Sequence, residues 1–244
     1  ILYIQSYCQF YSNPEFLEKN RLFEVLYSKL IENTIIDELL LNILIEYFFS
    51  YVDYYELSDE KITDIQMNFL NEYRTHLKTF EKTKKYPYQY GLIINKNRME
   101  YDISLLCSSF LSKHRYCIME TLFNNIKIDS EQSVLIIGVG AGIELSLLYD
   151  KSNNIFAYDT NIGEFIRKKF PKVKFYEKYF TYNSQNKYDN IILIEILEHL
   201  ENPNKLLVDV MKSLNNNGQI HFTTAINIPQ FDHLYNFQLI DNNI

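Results

Sequence analysis

The chain of 244 residues contains little glycine, no tryptophan and only three cysteines. Cys8, Cys107 and Cys117 are odd in number and show no CxxC spacing, so we expect free thiols in a reducing compartment, the cytoplasm. Long apolar runs are also missing, because 39–45 and 191–194 fall far short of the ~20 residues that a membrane-spanning helix needs. No membrane partner is expected. The chain starts without Met, and we expect its true start to lie upstream.

The chain also has fewer basic residues than acidic ones. The chain carries 24 Lys and Arg against 31 Asp and Glu, which gives a formal net charge of -7. Such a balance argues against wide contact with a phosphate backbone, so a nucleic acid is not the expected partner. Hydrophobic residues make up 47% of the chain, which excludes a disordered polymer and favours one large domain or two small ones.

The scarcity of glycine makes its distribution informative. An average usage of about 7% would give roughly 17 glycines in this length, and the chain has 6. Three of the six, Gly138, Gly140 and Gly142, fall within five residues. Glycine permits sharp turns and close approach of the backbone to a ligand, so this segment is predicted to be a binding loop.

Residues 1–125 have the pattern of an all-α region. Helix starts are predicted at Asn13-Pro14, at Asn33 or Thr34, and at Ser58-Asp59-Glu60. A further helical segment is expected over about 100–124, where apolar residues return at helical spacing. We interpret this region either as a cap over a binding site or as a dimerisation element. In the second case we expect the chain to form a homodimer through it.

Residues 126–244 have a different pattern, in which short apolar runs alternate with helical segments. Strands are predicted over 134–137, 154–158, 173–176, 191–194 and 220–224. Asn161 with Glu164 has the spacing of a capping box, and Asn202-Pro203 is a typical helix start. Strands that alternate with helices predict an α/β fold with a Rossmann-like parallel sheet.

The glycine loop and one acid indicate a nucleotide site. Ligands of open parallel sheets bind beyond the carboxyl ends of the strands, where the loop follows the first predicted strand and Asp159 follows the second. An acid at this place can accept both hydroxyl protons of a ribose, and loop amides face the ligand. The spacing predicts an adenosine-type nucleoside. Ile143 stands where the G-x-G-x-x-G fingerprint of a dinucleotide site needs a small residue, which speaks against a nicotinamide cofactor.

Further segments follow the loop and the acid in a fixed order. They are Tyr188-Asp189-Asn190-Ile191, then Ile196-Leu197-Glu198-His199-Leu200, then Leu214 through Gly218 with Ile220. Together, over about residues 130–226, they resemble the motifs of class I S-adenosylmethionine-dependent methyltransferases. The resemblance implies the Rossmann-like methyltransferase fold, S-adenosyl-L-methionine as cofactor, and a transferase activity.

The resemblance also implies roles for individual residues. The three loop glycines would pass under the methionine moiety and Asp159 would hold the ribose. Glu177 or Tyr179 would lie near the adenine, and Glu195 would line the transferring methyl group. The sheet of this family usually ends with two more strands, whereas 20 residues follow Thr224, so we expect the C-terminal strands to be missing from this sequence.

Two histidines are candidates for catalysis because both follow strands at the predicted carboxyl edge. His199 belongs to the pair Glu198-His199 and His233 follows the fifth strand; either residue can also have a purely structural role. The set Glu195, Glu198, His199 and His233 offers the mixed oxygen and nitrogen ligands that suit a divalent metal. A similar cluster occurs in small-RNA 2′-O-methyltransferases, where a metal activates the hydroxyl.

The acceptor is predicted to be a small molecule, a carboxylate-bearing metabolite or natural-product precursor. His114 and Arg115 precede the first strand, where a segment often covers the cofactor, and Arg115 can pair with a carboxylate of the methionine end or of the substrate. The alternative is a surface arginine that closes a helix. Two other functions stay open: an RNA or protein methyltransferase that docks through the helical region, where Lys82, Lys84 and Lys85 are the local basic residues, and a non-catalytic partner of the same fold.

Overall fold

The computed structural model of the chain describes residues 37–84, 97–226, 233–234 and 237. The helix starts predicted at Asn13-Pro14 and at Asn33 or Thr34 lie outside the described residues, as does Lys85. None of the helices in the described part is both long and apolar enough to cross a membrane.

The helices before the sheet begin with side-chain caps. They are α1 (Glu38–Tyr54), α2 (Asp59–Thr83), α3 (Arg98–Leu111) and α4 (Lys113–Asn125). Ser58 caps α2 as predicted, since its side chain accepts a hydrogen bond from the Lys61 N–H. The segment predicted over 100–124 is helical but divided into two helices: Ser112 has an extended backbone and its hydroxyl accepts from the Arg115 N–H, so one helix ends there and the next begins.

The predicted parallel sheet is confirmed. Its strands are β1 (Ser133–Ile137), β2 (Asn154–Asp159), β3 (Lys174–Glu177), β4 (Tyr188–Ile194) and β5 (Leu214–Thr223), in the order β3-β2-β1-β4-β5. The crossovers carry α5 (Ile143–Leu148), α6 (Glu164–Lys169), a 3-10 turn (Leu197–His199) and α7 (Pro203–Ser213). The strand order reverses between β1 and β4, which is where this fold class opens a crevice.

Two local predictions need correction. The cap of α6 is Gly163, without a side-chain hydrogen bond, whereas the backbone N–H of Asn161 donates to the Asp159 carboxylate at 3.0 Å. The fifth strand, predicted over 220–224, begins earlier, because the asparagines after α7 already belong to β5. Asn215 donates to Asp189 at 2.7 Å, and this contact across the sheet holds the polar segment in the strand.

One face of the sheet shares a hydrophobic core with the helical region. Successive side chains of a strand point to opposite faces, so Val134 and Ile136 of β1 pack in one cluster with α1, including Tyr47 and Tyr51. On the other face, Leu135 and Leu193 pack with Val210 of α7. The helical region therefore covers one face of the sheet and approaches its carboxyl edge.

Candidate functional site

A cavity of about 880 Å³ opens at the carboxyl edge of the sheet. Its floor is the glycine loop after β1, and its walls come from the ends of β2 and β4, from the segment after β3 and from helices α3, α4 and α7. This volume lies in the range of sites that hold a cofactor or a small molecule. The cavity thus coincides with the crevice expected from the strand order.

Two positions of the loop require glycine, both because of their backbone conformation and because a side chain there would have no space. Gly138 and Gly142 each have φ of +80°, in the left-handed region. A Cβ added at Gly138 would collide with the side chain of Ile196, and one added at Gly142 would collide with the Tyr47 hydroxyl. Gly138 and Gly140 line the cavity, whereas Gly142 lies buried behind the loop and starts α5.

Asp159 connects the glycine loop to the loop after β2. One carboxylate oxygen accepts the backbone N–H of Gly140 at 3.1 Å, and the other accepts that of Asn161 at 3.0 Å. The carboxylate lines the cavity next to Gly140. The structure therefore brings together the loop and the acid that the sequence placed 17 residues apart.

The two residues predicted near the adenine separate in the structure. Tyr179 lines the cavity and is 74% exposed, whereas Glu177 pairs with Arg167 on the surface and is not part of the cavity wall. The apolar part of that wall consists of Ile137, Tyr158, Phe180 and Leu206. Phe180 was missed, although its place three residues after the third strand offered a signal.

Glu195 lies at the cavity with φ of +53°, a rare backbone conformation for a residue other than glycine. Its backbone N–H donates to the carbonyl and to the hydroxyl of Thr223, both at 3.2 Å. Its carboxylate lies 3.5 Å from the Nε2 atom of His114. This contact joins the sheet edge to helix α4, so two candidate site residues from separate regions of the chain meet here.

Glu198, His199 and His233 form a compact cluster beside this edge. One ligand atom from each lies within 4.8 Å of the others, and the two imidazole rings have centroids 5.4 Å apart. The Glu198 side chain is 1% exposed; one oxygen accepts from Thr224 at 2.9 Å, and the other is buried without a hydrogen-bond partner. Glu195 is not a member of the cluster.

The helical region contributes contacts to the glycine loop that the sequence did not reveal. The Tyr47 hydroxyl donates to the Ala141 carbonyl at 2.7 Å. Arg98 donates to the carbonyls of Gly140 and Asn161 and pairs with Asp102 at 2.9 Å. Asp102 also accepts from the Tyr51 hydroxyl at 3.3 Å. These residues brace the glycine loop and the loop after β2.

Two opposite charges face the cavity beside the glycine loop. Arg115, on α4, was predicted to lie there, and Glu144, in the first turn of α5, was missed. Burial raises the pKa of the Glu144 carboxyl, and the charge of Arg115 lowers it. The only signal for Glu144 in the sequence was the presence of an acid two residues after the last loop glycine.

Three solved structures with a similar fold illustrate its range. The YcgJ protein from Bacillus subtilis is 18% identical, with 44% of this chain and 50% of that one covered and a TM-score of 0.39. The N-methyltransferase NodS from Bradyrhizobium japonicum WM9, in complex with S-adenosyl-L-homocysteine, is 14% identical, with 46% and 60% covered and a TM-score of 0.38. A methyltransferase in complex with the Haloferax volcanii Trm112 methyltransferase activator is 13% identical, with 46% and 53% covered and a TM-score of 0.37.

The chain thus spans between half and three-fifths of the length of these three proteins. No curated protein matches the sequence. A family model described as a methyltransferase domain matches residues 111–238, just over half of the chain. This span contains β1 to β5, the glycine loop and Asp159. The chain therefore belongs to the methyltransferase domain family and has the Rossmann-like fold of class I S-adenosylmethionine-dependent methyltransferases.

Proposed function

We propose that the chain transfers the methyl group of S-adenosylmethionine to a small, acidic metabolite or natural-product precursor. The observation that carries this proposal is that one cavity is lined both by the glycine loop with Asp159 and by the polar residues Glu195 and His199, with His114 in contact with Glu195. The first group suits a nucleoside cofactor and the second suits an acceptor. Both ligands can therefore lie in contact.

The cofactor fits the cavity by the chemistry of its walls. Asp159 is placed to accept hydrogen bonds from the ribose hydroxyls, as acids at the end of the second strand do in this fold class. The apolar wall that contains Tyr158, Phe180 and Leu206 suits the adenine ring. The methionine end then extends along the glycine loop towards α4.

A small acceptor fits better than a polymer because α3 and α4 cover the cavity from one side. The total volume of about 880 Å³ is shared between cofactor and acceptor, which leaves room for a small molecule. His114, which is exposed and contacts Glu195 of the cavity wall, offers a hydrogen-bond donor to an acidic acceptor.

The reaction needs positioning more than covalent catalysis. The acceptor atom uses its lone pair to bond the methyl carbon as the bond from carbon to sulfur breaks and its electrons return to the sulfur. Alignment of the two partners and exclusion of water therefore supply most of the rate enhancement. A protonated acceptor must also lose its proton, and His199 at the cavity wall is our candidate base when no metal is bound.

We further propose that Glu198, His199 and His233 hold a divalent metal. One carboxylate and two imidazoles form a donor set that suits Zn, Mn or Fe, and the buried, unpartnered oxygen of Glu198 favours a ligand at this point. A bound metal would acidify an acceptor hydroxyl or C–H bond. The two roles of His199 exclude each other, so metal analysis decides between them.

Calorimetry with S-adenosyl-L-homocysteine tests the cofactor assignment, and we expect binding of this compound and none of NAD. Absence of binding would refute the proposed activity. For the metal, we expect one equivalent of a divalent ion by elemental analysis, lost in Glu198→Gln and in His233→Ala. The matched control is His76→Ala, since His76 lies on α2 and contacts Glu72. Metal content equal in all three variants would refute the metal site.

A further inference from the structure

We infer that Glu144 and Arg115 form a clamp for the amino-acid end of the cofactor, in which Glu144 binds the ammonium group and Arg115 binds the carboxylate. This inference rests on the proposed function, because the ligand is S-adenosylmethionine or its product. It assigns Glu144 a role and decides which carboxylate Arg115 recognises.

The two residues reach the same part of the cavity from different elements. Glu144 is the second residue of α5, directly after the glycine loop, and its side chain is almost completely buried, with 7% of its surface exposed. Arg115 is the third residue of α4 and is half-buried. Both line the cavity together with Gly140 and Ala141.

Neither side chain has a protein partner among the residues that the structure describes. Arg115 forms no ion pair there, and its hydrogen bond to Ser112 comes from the backbone N–H. The Glu144 carboxylate likewise forms no ion pair with these residues, and burial raises its pKa. A buried carboxylate without a partner is unfavourable, so a cationic group supplied by a ligand would stabilise it.

The two charges act on each other without forming an ion pair. The guanidinium is close enough for its charge to act on the Glu144 carboxyl, yet the two groups do not form an ion pair within 4.0 Å. A zwitterion with an ammonium and a carboxylate on one carbon offers an opposite charge to each of them. Arginine also presents two parallel donors that match a carboxylate.

The other charges near the loop are engaged elsewhere. Arg98 pairs with Asp102 and donates to two loop carbonyls. Asp159 accepts two backbone N–H groups and is assigned to the ribose. Glu195 contacts His114. Among the charged residues beside the glycine loop, Glu144 and Arg115 are therefore the pair available for the methionine moiety.

The test compares S-adenosyl-L-homocysteine with 5′-methylthioadenosine, which has the same nucleoside and lacks the amino acid. In calorimetry, Glu144→Gln and Arg115→Gln should each lower the affinity for S-adenosyl-L-homocysteine by roughly 10- to 100-fold, as expected for a hydrogen bond to a charged group. The affinity for 5′-methylthioadenosine should stay unchanged. Asp159→Asn should weaken both ligands. The matched control is Glu164→Gln, an exposed acid in the first turn of α6, which should weaken neither.

Equal losses for both ligands, or no loss, in the Glu144 and Arg115 variants would overturn the clamp and leave the proposed function intact. Wild-type protein that binds neither ligand would overturn both. Thermal unfolding of each variant checks its fold. Because Arg115 is on a different helix and is half-exposed, Arg115→Gln decides the question if Glu144→Gln does not fold.

Discussion

Replacing Gly142 by alanine should destabilise the protein more than the same change at Gly140, although both glycines belong to one loop and both have positive φ. A Cβ at Gly142 would collide with the Tyr47 hydroxyl and lie 3.3 Å from Ile166. A Cβ at Gly140 would meet only Leu105, at an ordinary contact distance of 3.6 Å. The comparison therefore separates backbone strain from the contact with α1.

The magnitudes follow from these two contributions. A left-handed backbone costs an L-residue roughly 1–2 kcal/mol, which applies at both positions. At Gly142 the new methyl group also displaces the Tyr47 hydroxyl from the buried Ala141 carbonyl, and an unsatisfied buried group costs about 1–3 kcal/mol. We expect the free energy of unfolding to fall by about 1–2 kcal/mol in Gly140→Ala and by roughly 2–5 kcal/mol in Gly142→Ala.

Urea unfolding of the single variants, of Tyr47→Phe and of the double variant Gly142→Ala/Tyr47→Phe measures these values. Tyr47→Phe alone should cost about 1–3 kcal/mol. With the hydroxyl removed, the methyl group at position 142 has space, so the double variant should lose less than the sum of its single variants. Equal costs at the two glycines together with strict additivity would refute the contact between Tyr47 and the loop.

Three further predictions concern the site. Asp159→Ala should weaken S-adenosyl-L-homocysteine by about 1–2 kcal/mol in calorimetry; unchanged affinity would mean that the ribose is held elsewhere. Arg98→Lys should weaken the same ligand several-fold, because an ammonium cannot replace a guanidinium that serves Asp102 and two loop carbonyls, and wild-type affinity would contradict the bracing role. Burial raises the pKa of Asp102 from 3.8 to about 6 against the opposing charge of Arg98, so the native state binds the proton more tightly and stability falls as pH rises from about 4 to 6. The stability of wild type relative to Asp102→Asn should then decrease by about 3 kcal/mol over this window in pH-dependent urea unfolding; a flat or rising difference would contradict the raised pKa.

The parallel sheet was predictable because its signals are local. A glycine cluster after an apolar run, an acid at the next strand end and caps such as Ser58 act through neighbouring residues. The strand starts at Tyr188 and Leu214 were missed because their first residues are partly polar and are held by contacts between strands, such as Asn215 with Asp189. Sequence spacing likewise suggested that Glu195 joins Glu198 and His199, but its left-handed backbone turns its carboxylate towards His114.

The sequence by itself determined the crevice. Hydrophobic periodicity and glycine placement act over a few residues, so they can be recognised locally. In a parallel sheet the carboxyl ends of the strands, with the glycine loop and the acid that follow them, all lie at one edge. The tertiary structure decided which residues complete that crevice. Tyr47 lies 94 positions from Ala141, and Arg98 lies 42 positions from Gly140. Their contacts depend on how the helical region packs against the sheet, and that packing is set by the shape of a shared core which no local pattern encodes.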